Sequence, residues 1–151
     1  MIKKIDIVNR FRMQLVIDDM FQAPDWPWAL ISIYSTPQEE LVTRPNFQKL
    51  KNKGCRSCLS LLFQDGSIDD SWIQYPFLPV HAQEVINFLD RMQEVEEKML
   101  LILHCDAGIS RSGAVGRFSA DYLDIAFEDE YILPNPYVSR ILNEQIWNEV
   151  L

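Results

Sequence analysis

Two observations predict an α/β fold with a mainly parallel central sheet flanked by helices, in one domain over residues 1–151. Short apolar runs of strand length alternate with longer stretches whose apolar residues recur at helical spacing. The run Met99 to Leu103 (MLLIL) leads into a seven-residue turn, Cys105 to Arg111, followed at once by a helical pattern. Composition permits such a fold, because 48% hydrophobic and 11% aromatic residues suffice for one packed core in 151 residues.

Each element has its own signal. A first strand at Lys4 to Val8 precedes Asn9, a helix-capping residue type, and a helix to about Met20 with Phe11, Leu15 and Val16 on its inner face. Trp26, Pro27 and Trp28 interrupt it, and the two tryptophans read as core or its lid rather than as a substrate wall. Ala29 to Tyr34 (ALISIY) is a second buried strand. A polar connection then holds a short helix between Pro45 and Lys53, which Gly54 ends. Leu59 to Phe63 (LSLLF) is a third strand, with the turn-rich QDGSIDDS after it. Pro79 opens a helix to about Glu97, with Ala82, Val85, Ile86, Leu89 and Met92 at helical spacing. After the Met99 strand come a helix from Arg111 to Leu123, a turn at YILPNP and a last helix from Pro136 to Val150, docked by Ile141, Leu142, Ile146 and Trp147. There is no internal repeat, linker or low-complexity stretch.

The turn carries the chemistry. Between a strand and a helix, its backbone N–H groups form a nest to which the helix adds its positive end, a setting that suits a phosphate dianion. Asp106, Ala107, Gly108, Ile109, Ser110 and Arg111 would surround that phosphate, with Gly108 permitting the bend. Arg111 offers a planar fork for two phosphoryl oxygens. The same dipoles and the arginine favour the thiolate of Cys105, which is then a nucleophile toward phosphorus. Ser112 can donate a hydrogen bond to the sulfur, and His104 is expected to point away from the phosphate and bond backbone near Cys105. The competing reading of Cys105 is an inert buried thiol at a strand end.

His104, Cys105, Arg111 and Ser112 match the His-Cys-x5-Arg-Ser/Thr signature, so the chain resembles the cysteine-dependent protein phosphatase superfamily. The short length and the form HCDAGISRSG resemble its compact dual-specificity and small bacterial or phage tyrosine-phosphatase-like group. The similarity extends from about Ala29 to the C-terminus, through ALISIYSTP, LSLLFQDG and NPYVSRIL, although only the loop is diagnostic. The resemblance implies hydrolysis of phosphotyrosine, with phosphoserine and phosphothreonine as further substrates, through a phosphocysteine intermediate. It implies no cofactor and no metal.

Expelling an alkoxide or phenolate from phosphorus needs a proton donor held over the loop from another segment. Asp65, Asp69 and Asp70 all follow the Leu59 strand, whose exit lies at the same sheet edge as that of the Met99 strand if the two are parallel. In the family the acid commonly follows an apolar strand as aromatic-x-Asp, and Phe63-Gln64-Asp65 fits; Asp69 and Asp70 are the alternatives. Asp65 precedes Cys105 by forty residues, a longer interval than is usual in short members of the family.

A net charge of −8 argues against nucleic acid as partner, and no run approaches membrane-spanning length. It leaves a phosphorylated protein or a small phosphomonoester as substrate. The basic residues of MIKKIDIVNR precede no apolar segment of a secretory signal, so a cytoplasmic location is expected, and three cysteines suit its reducing conditions. Cys55 and Cys58 form a lone Cys-x-x-Cys, which reads as packing, with reversible protection of Cys105 as the alternative. His81, near a helix start, reads as a surface or capping residue.

Two other functions share the loop. One is a phosphatase of a lipid or RNA phosphate, or a sulfur or arsenate transferase, although Asp106, Ala107 and Ile109 stand where polyanion-binding loops tend to carry lysine. The other is a phosphate-binding module that has lost its acid.

Overall fold

A computed structural model describes residues 1–18, 22–43, 47–128 and 132–150. Four strands, β1 (Ile2–Asn9), β2 (Trp28–Tyr34), β3 (Cys55–Leu62) and β4 (Met99–Cys105), form a sheet of order β1-β4-β2-β3 in which every pairing is parallel. The α/β arrangement is therefore as expected, with the parallel character complete. β4 lies inside the sheet: Leu101 stands opposite Ile5 on one side and Ala29 on the other. Both its faces are covered, which is why MLLIL is continuously apolar instead of alternating.

The strand period of two divides these residues between two cores. Met99, Leu101, Leu103 and Cys105 face the larger one, built with α4 (Pro79–Gln93), α5 (Arg111–Leu123) and α6 (Pro136–Val150). Ala82, Val85, Ile86, Leu89 and Met92 are all buried there, joined by Phe88. Ile102, Leu30 and Trp28 face a smaller core closed by α1 (Arg10–Ile17) and α3 (Phe47–Asn52). One further helix, α2 (Pro37–Thr43), lies in the stretch read as a polar connection. Its signal was present in Thr36, whose Oγ1 accepts the Glu39 N–H at 3.3 Å, followed by Pro37 and two first-turn acids.

Several boundaries and faces differ from expectation. Asn9 caps α1 by accepting the Arg12 N–H at 2.7 Å, and this fixes the helix phase so that Met13, Val16 and Ile17 turn inward. Leu15 is only half-buried and Phe11 is 72% exposed, so two of the three residues assigned to the inner face are not on it; Met20 lies outside the described residues. β3 begins at Cys55, not Leu59, because Gly54, at φ +100°, ends α3 and turns the chain straight into the sheet. α3 itself starts at Phe47, and Pro45 is not among the described residues. α4 ends at Gln93 rather than Glu97. Trp28 is core, whereas Trp26 is exposed, as is Trp147 on α6, which docks through Leu142, Ile141 and Ile146 as expected and through Val138 in place of Trp147.

His104 sits on the smaller-core face of β4, directly before the loop, and its Nε2 meets Ser32 Oγ at 2.8 Å. It points away from the loop, as expected, because the strand period aims it across the sheet toward this hydroxyl of β2, and the backbone of Cys105 also acts on its imidazole. Burial holds the imidazole down at about 4, helped by the Arg10 guanidinium. Below the ordinary 6.5 the unfolded chain takes up a proton that the folded chain refuses. Its stabilisation is thus complete above that pH and is lost as pH falls toward 4, on the order of 3 kcal/mol. His81, also lowered by burial, acts in the same direction. Urea unfolding across this window is expected to show the loss, and His104→Asn to remove most of the pH dependence; an unchanged slope would contradict the assignment.

Candidate active site

The strand-to-helix turn places Cys105 at the end of β4 with its Sγ 3.1 Å from Ser112 Oγ. Burial alone would raise its thiol, but the Ser112 hydroxyl and the backbone N–H groups of Ser112, Gly108 and Ile109 outweigh burial and hold it below its ordinary value. These are the donors of the expected nest, and Ser112 takes the place expected of it. Gly108 supplies φ +72°, and a Cβ there would stand 2.9 Å from the carbonyl carbon and oxygen of Val8. The loop is thus pressed against the end of β1, which leaves room only for glycine.

Arg111 begins α5 and is 4% exposed. Its Nη1 donates to Ser35 Oγ at 2.8 Å and to the Phe63 carbonyl at 2.9 Å, and its Nη2 to Asp106 Oδ2 at 3.0 Å. Ser35 follows β2 and Phe63 follows β3, so one guanidinium gathers the exits of two neighbouring strands. The second oxygen of Asp106 pairs with Arg10, which also bonds Glu39 at 2.9 Å. Ser35 and Arg10 were missed in the sequence; a hydroxyl at a strand exit and a basic residue after a capping Asn are too common to mark a site.

A cavity of about 490 Å³ opens over the loop. Cys105, Asp106, Ala107, Ile109, Ser110 and Arg111 line it, and of the expected loop residues only Gly108 does not, because it is turned onto β1. Asp65 reaches the same cavity, with Gln64 and Trp72 beside it. Its Oδ1 accepts from Ser110 Oγ at 2.9 Å and from Asn135 Nδ2 at 2.7 Å. Asp69 and Asp70 do not line the cavity. Asp70 instead closes a turn, its Oδ2 accepting the Ser67 N–H at 2.9 Å, and the Asp69 N–H donates to Ser67 Oγ at 3.4 Å. The long interval before Cys105 is absorbed by a pinched loop: Gln64 Oε1 accepts the N–H groups of Gln74 and Tyr75, at 2.6 and 2.9 Å.

The remaining candidates are structural. His81 Nδ1 accepts the Leu78 N–H at 2.9 Å at the start of α4, and its ring stacks on Phe77. Cys55 and Cys58 both border the smaller core, where burial pushes their thiols up to about 12 and about 11. No cluster of metal-ligating side chains occurs among the described residues. Compared with known proteins, the chain matches no family model and no curated sequence. The chemistry of the site rests on its own geometry.

That geometry lowers one thiol and leaves the other two raised. Iodoacetamide near neutral pH is expected to add to Cys105 alone, with a labelling midpoint below the ordinary thiol value of about 8.5. Comparable modification of Cys55 or Cys58 by mass spectrometry would contradict it. A second expectation concerns Asp106, whose carboxylate holds the Arg111 fork that an entering oxoanion must share. Asp106→Asn should tighten vanadate binding by roughly three- to tenfold, since the competing charge goes while Ser35 and Phe63 still orient the arginine. Weaker binding would mean that Asp106 serves mainly to place Arg111.

Proposed function

We propose that the protein is a cysteine-dependent phosphatase that hydrolyses phosphotyrosine on protein substrates through a phosphocysteine intermediate. One observation carries this reading: a lowered thiol in an amide nest, a buried arginine and a carboxyl group on a separate loop all border one cavity. Phosphate dianion binds the N–H groups of the loop and the Arg111 fork, which together neutralise charge on the equatorial oxygens. The Cys105 thiolate attacks phosphorus; the sulfur–phosphorus bond forms as the bond to the leaving oxygen breaks, and Asp65 gives that oxygen its proton. Asp65, now a carboxylate, takes a proton from water as water attacks phosphorus, and the thiolate leaves with the Ser112 hydroxyl stabilising it.

Substrate choice follows from charge. Arg10, the next cation along, is already paired with Asp106 and Glu39, so the site favours one phosphoryl group over a polyphosphate. No helix among the described residues is long and apolar enough to cross a membrane. A reactive thiolate needs reducing conditions, and a cytoplasmic location supplies them.

The direct test is turnover of para-nitrophenyl phosphate. Wild type is expected to release nitrophenol, and Cys105→Ser to lose turnover by at least about a thousandfold while still binding vanadate. Residual activity within tenfold of wild type would remove Cys105 as nucleophile. Phosphate binding without turnover by wild type would favour a binding module.

A further inference from the structure

We propose that Asn135 is a positioning residue for the acid: it directs the proton of Asp65 to the oxygen that is free to reach a leaving group. This rests on the reading of Asp65 as the general acid. Asn135 lies just before α6, is 6% exposed, and uses every polar group it has. Its N–H donates to the Ser110 carbonyl at 3.1 Å, and its own carbonyl accepts the Ser139 N–H at 3.0 Å. Oδ1 accepts the N–H groups of Tyr137 and Val138 at 2.9 and 3.1 Å, capping α6. Nδ2 donates to Asp65 Oδ1 at 2.7 Å and to the Gly66 carbonyl at 3.2 Å. These partners fix the amide orientation, because a flip would set Nδ2 against two N–H donors and Oδ1 against two acceptors.

The consequence lies on Asp65. Its Oδ1 accepts both the Asn135 amide and the Ser110 hydroxyl, which occupies the lone pairs a proton would need. Oδ2 takes no hydrogen bond from the described residues, so the neutral acid carries its proton there. A carboxyl group turns easily about its last torsion. Without the amide the proton would divide between two orientations, only one of which serves a leaving oxygen. The titratable groups sharing the cavity are Cys105, Asp106 and Arg111, and Asp70 stands in the acid's own loop, but none bonds an Asp65 oxygen. Asn135 also ties the acid to Ser110, so acid and phosphate loop hold one spacing.

Serine and aspartate both cap helices, so Asn135→Ser and Asn135→Asp keep that role and lose the donated amide hydrogen bond. The experiment compares kcat for phenyl phosphate, a poor leaving group, with that for 4-methylumbelliferyl phosphate, a good one. Asn135→Ser is expected to slow the first about tenfold or more and the second less than about threefold. In an Asp65→Asn background the same change should alter neither by more than about twofold, because no proton remains to direct. Asn135→Asp sets a carboxylate against Asp65; it should slow phenyl phosphate likewise and move the alkaline limb of the pH profile upward. Should Asn135→Ser fail to fold, Asn135→Asp decides by the same two readouts. Equal losses on both substrates, or losses that multiply with Asp65→Asn, would reduce Asn135 to a structural cap. If Asp65→Asn itself shows no leaving-group selectivity, the acid assignment falls and the positioning role falls with it. If Asp65→Asn is selective and Asn135→Ser is not, only the positioning role is overturned.

Discussion

The buried guanidinium of Arg111 is the constraint around which the cavity edge of the sheet is arranged. A cation with almost no solvent must find its hydrogen bonds inside the protein, and leaving one partner missing costs several kcal/mol. Here the partners are the Phe63 carbonyl beyond β3, the Ser35 hydroxyl beyond β2 and the Asp106 carboxylate within the loop beyond β4. Parallel pairing delivers all three strand exits to one edge. Asp65 stands two residues after Phe63, so the bond that satisfies the arginine also sets where Asp65 starts its reach toward the cavity.

Polar groups at this edge are shared rather than duplicated. Ser110 occupies the cap position of α5, yet makes no side-chain cap bond and sends its hydroxyl to Asp65 instead. Giving up a cap costs about 1 kcal/mol, which α5 tolerates because it is buried along much of its length. Asn135 makes the opposite compromise, capping α6 with its oxygen while its nitrogen donates to Asp65. The site therefore has few atoms that belong to the fold alone. A chain of net charge −8 would hold the proposed anion in the same way, by amides and one arginine at short range.

The rear of the loop is polar too. His104 bonds Ser32 behind it, and Asp106 joins the fork of Arg111 to Arg10 and, through Arg10, to Glu39 at the start of α2. Ion pairs thus run from Glu39 through Arg10 and Asp106 to Arg111 at the cavity. The smaller-core face of the sheet is covered by short helices, whereas the face behind α5 is densely aliphatic and aromatic.

What was legible in the sequence was local. Period-two and period-3.6 patterns, Pro79 and Pro136 at helix starts and the apolar run of β4 depend on neighbours a few residues away, so α4, α5, α6 and the loop stand close to where the chain alone placed them. Cys105, Arg111 and Ser112 were readable for the same reason, since a strand–turn–helix holds them within eight residues. The inner face of α1 was misread because Asn9 sets the helix phase through a single bond. Choosing Asp65 over Asp69 and Asp70 could not be done from spacing, because the interval to Cys105 is folded away by Gln64. Tertiary structure alone decided which hydroxyl and which carbonyl would hold Arg111, and that Asn135, seventy residues from Asp65, would meet it at 2.7 Å. Such contacts arise from the parallel convergence of separate strand exits, and neither partner carries a mark of the other in its own stretch of chain.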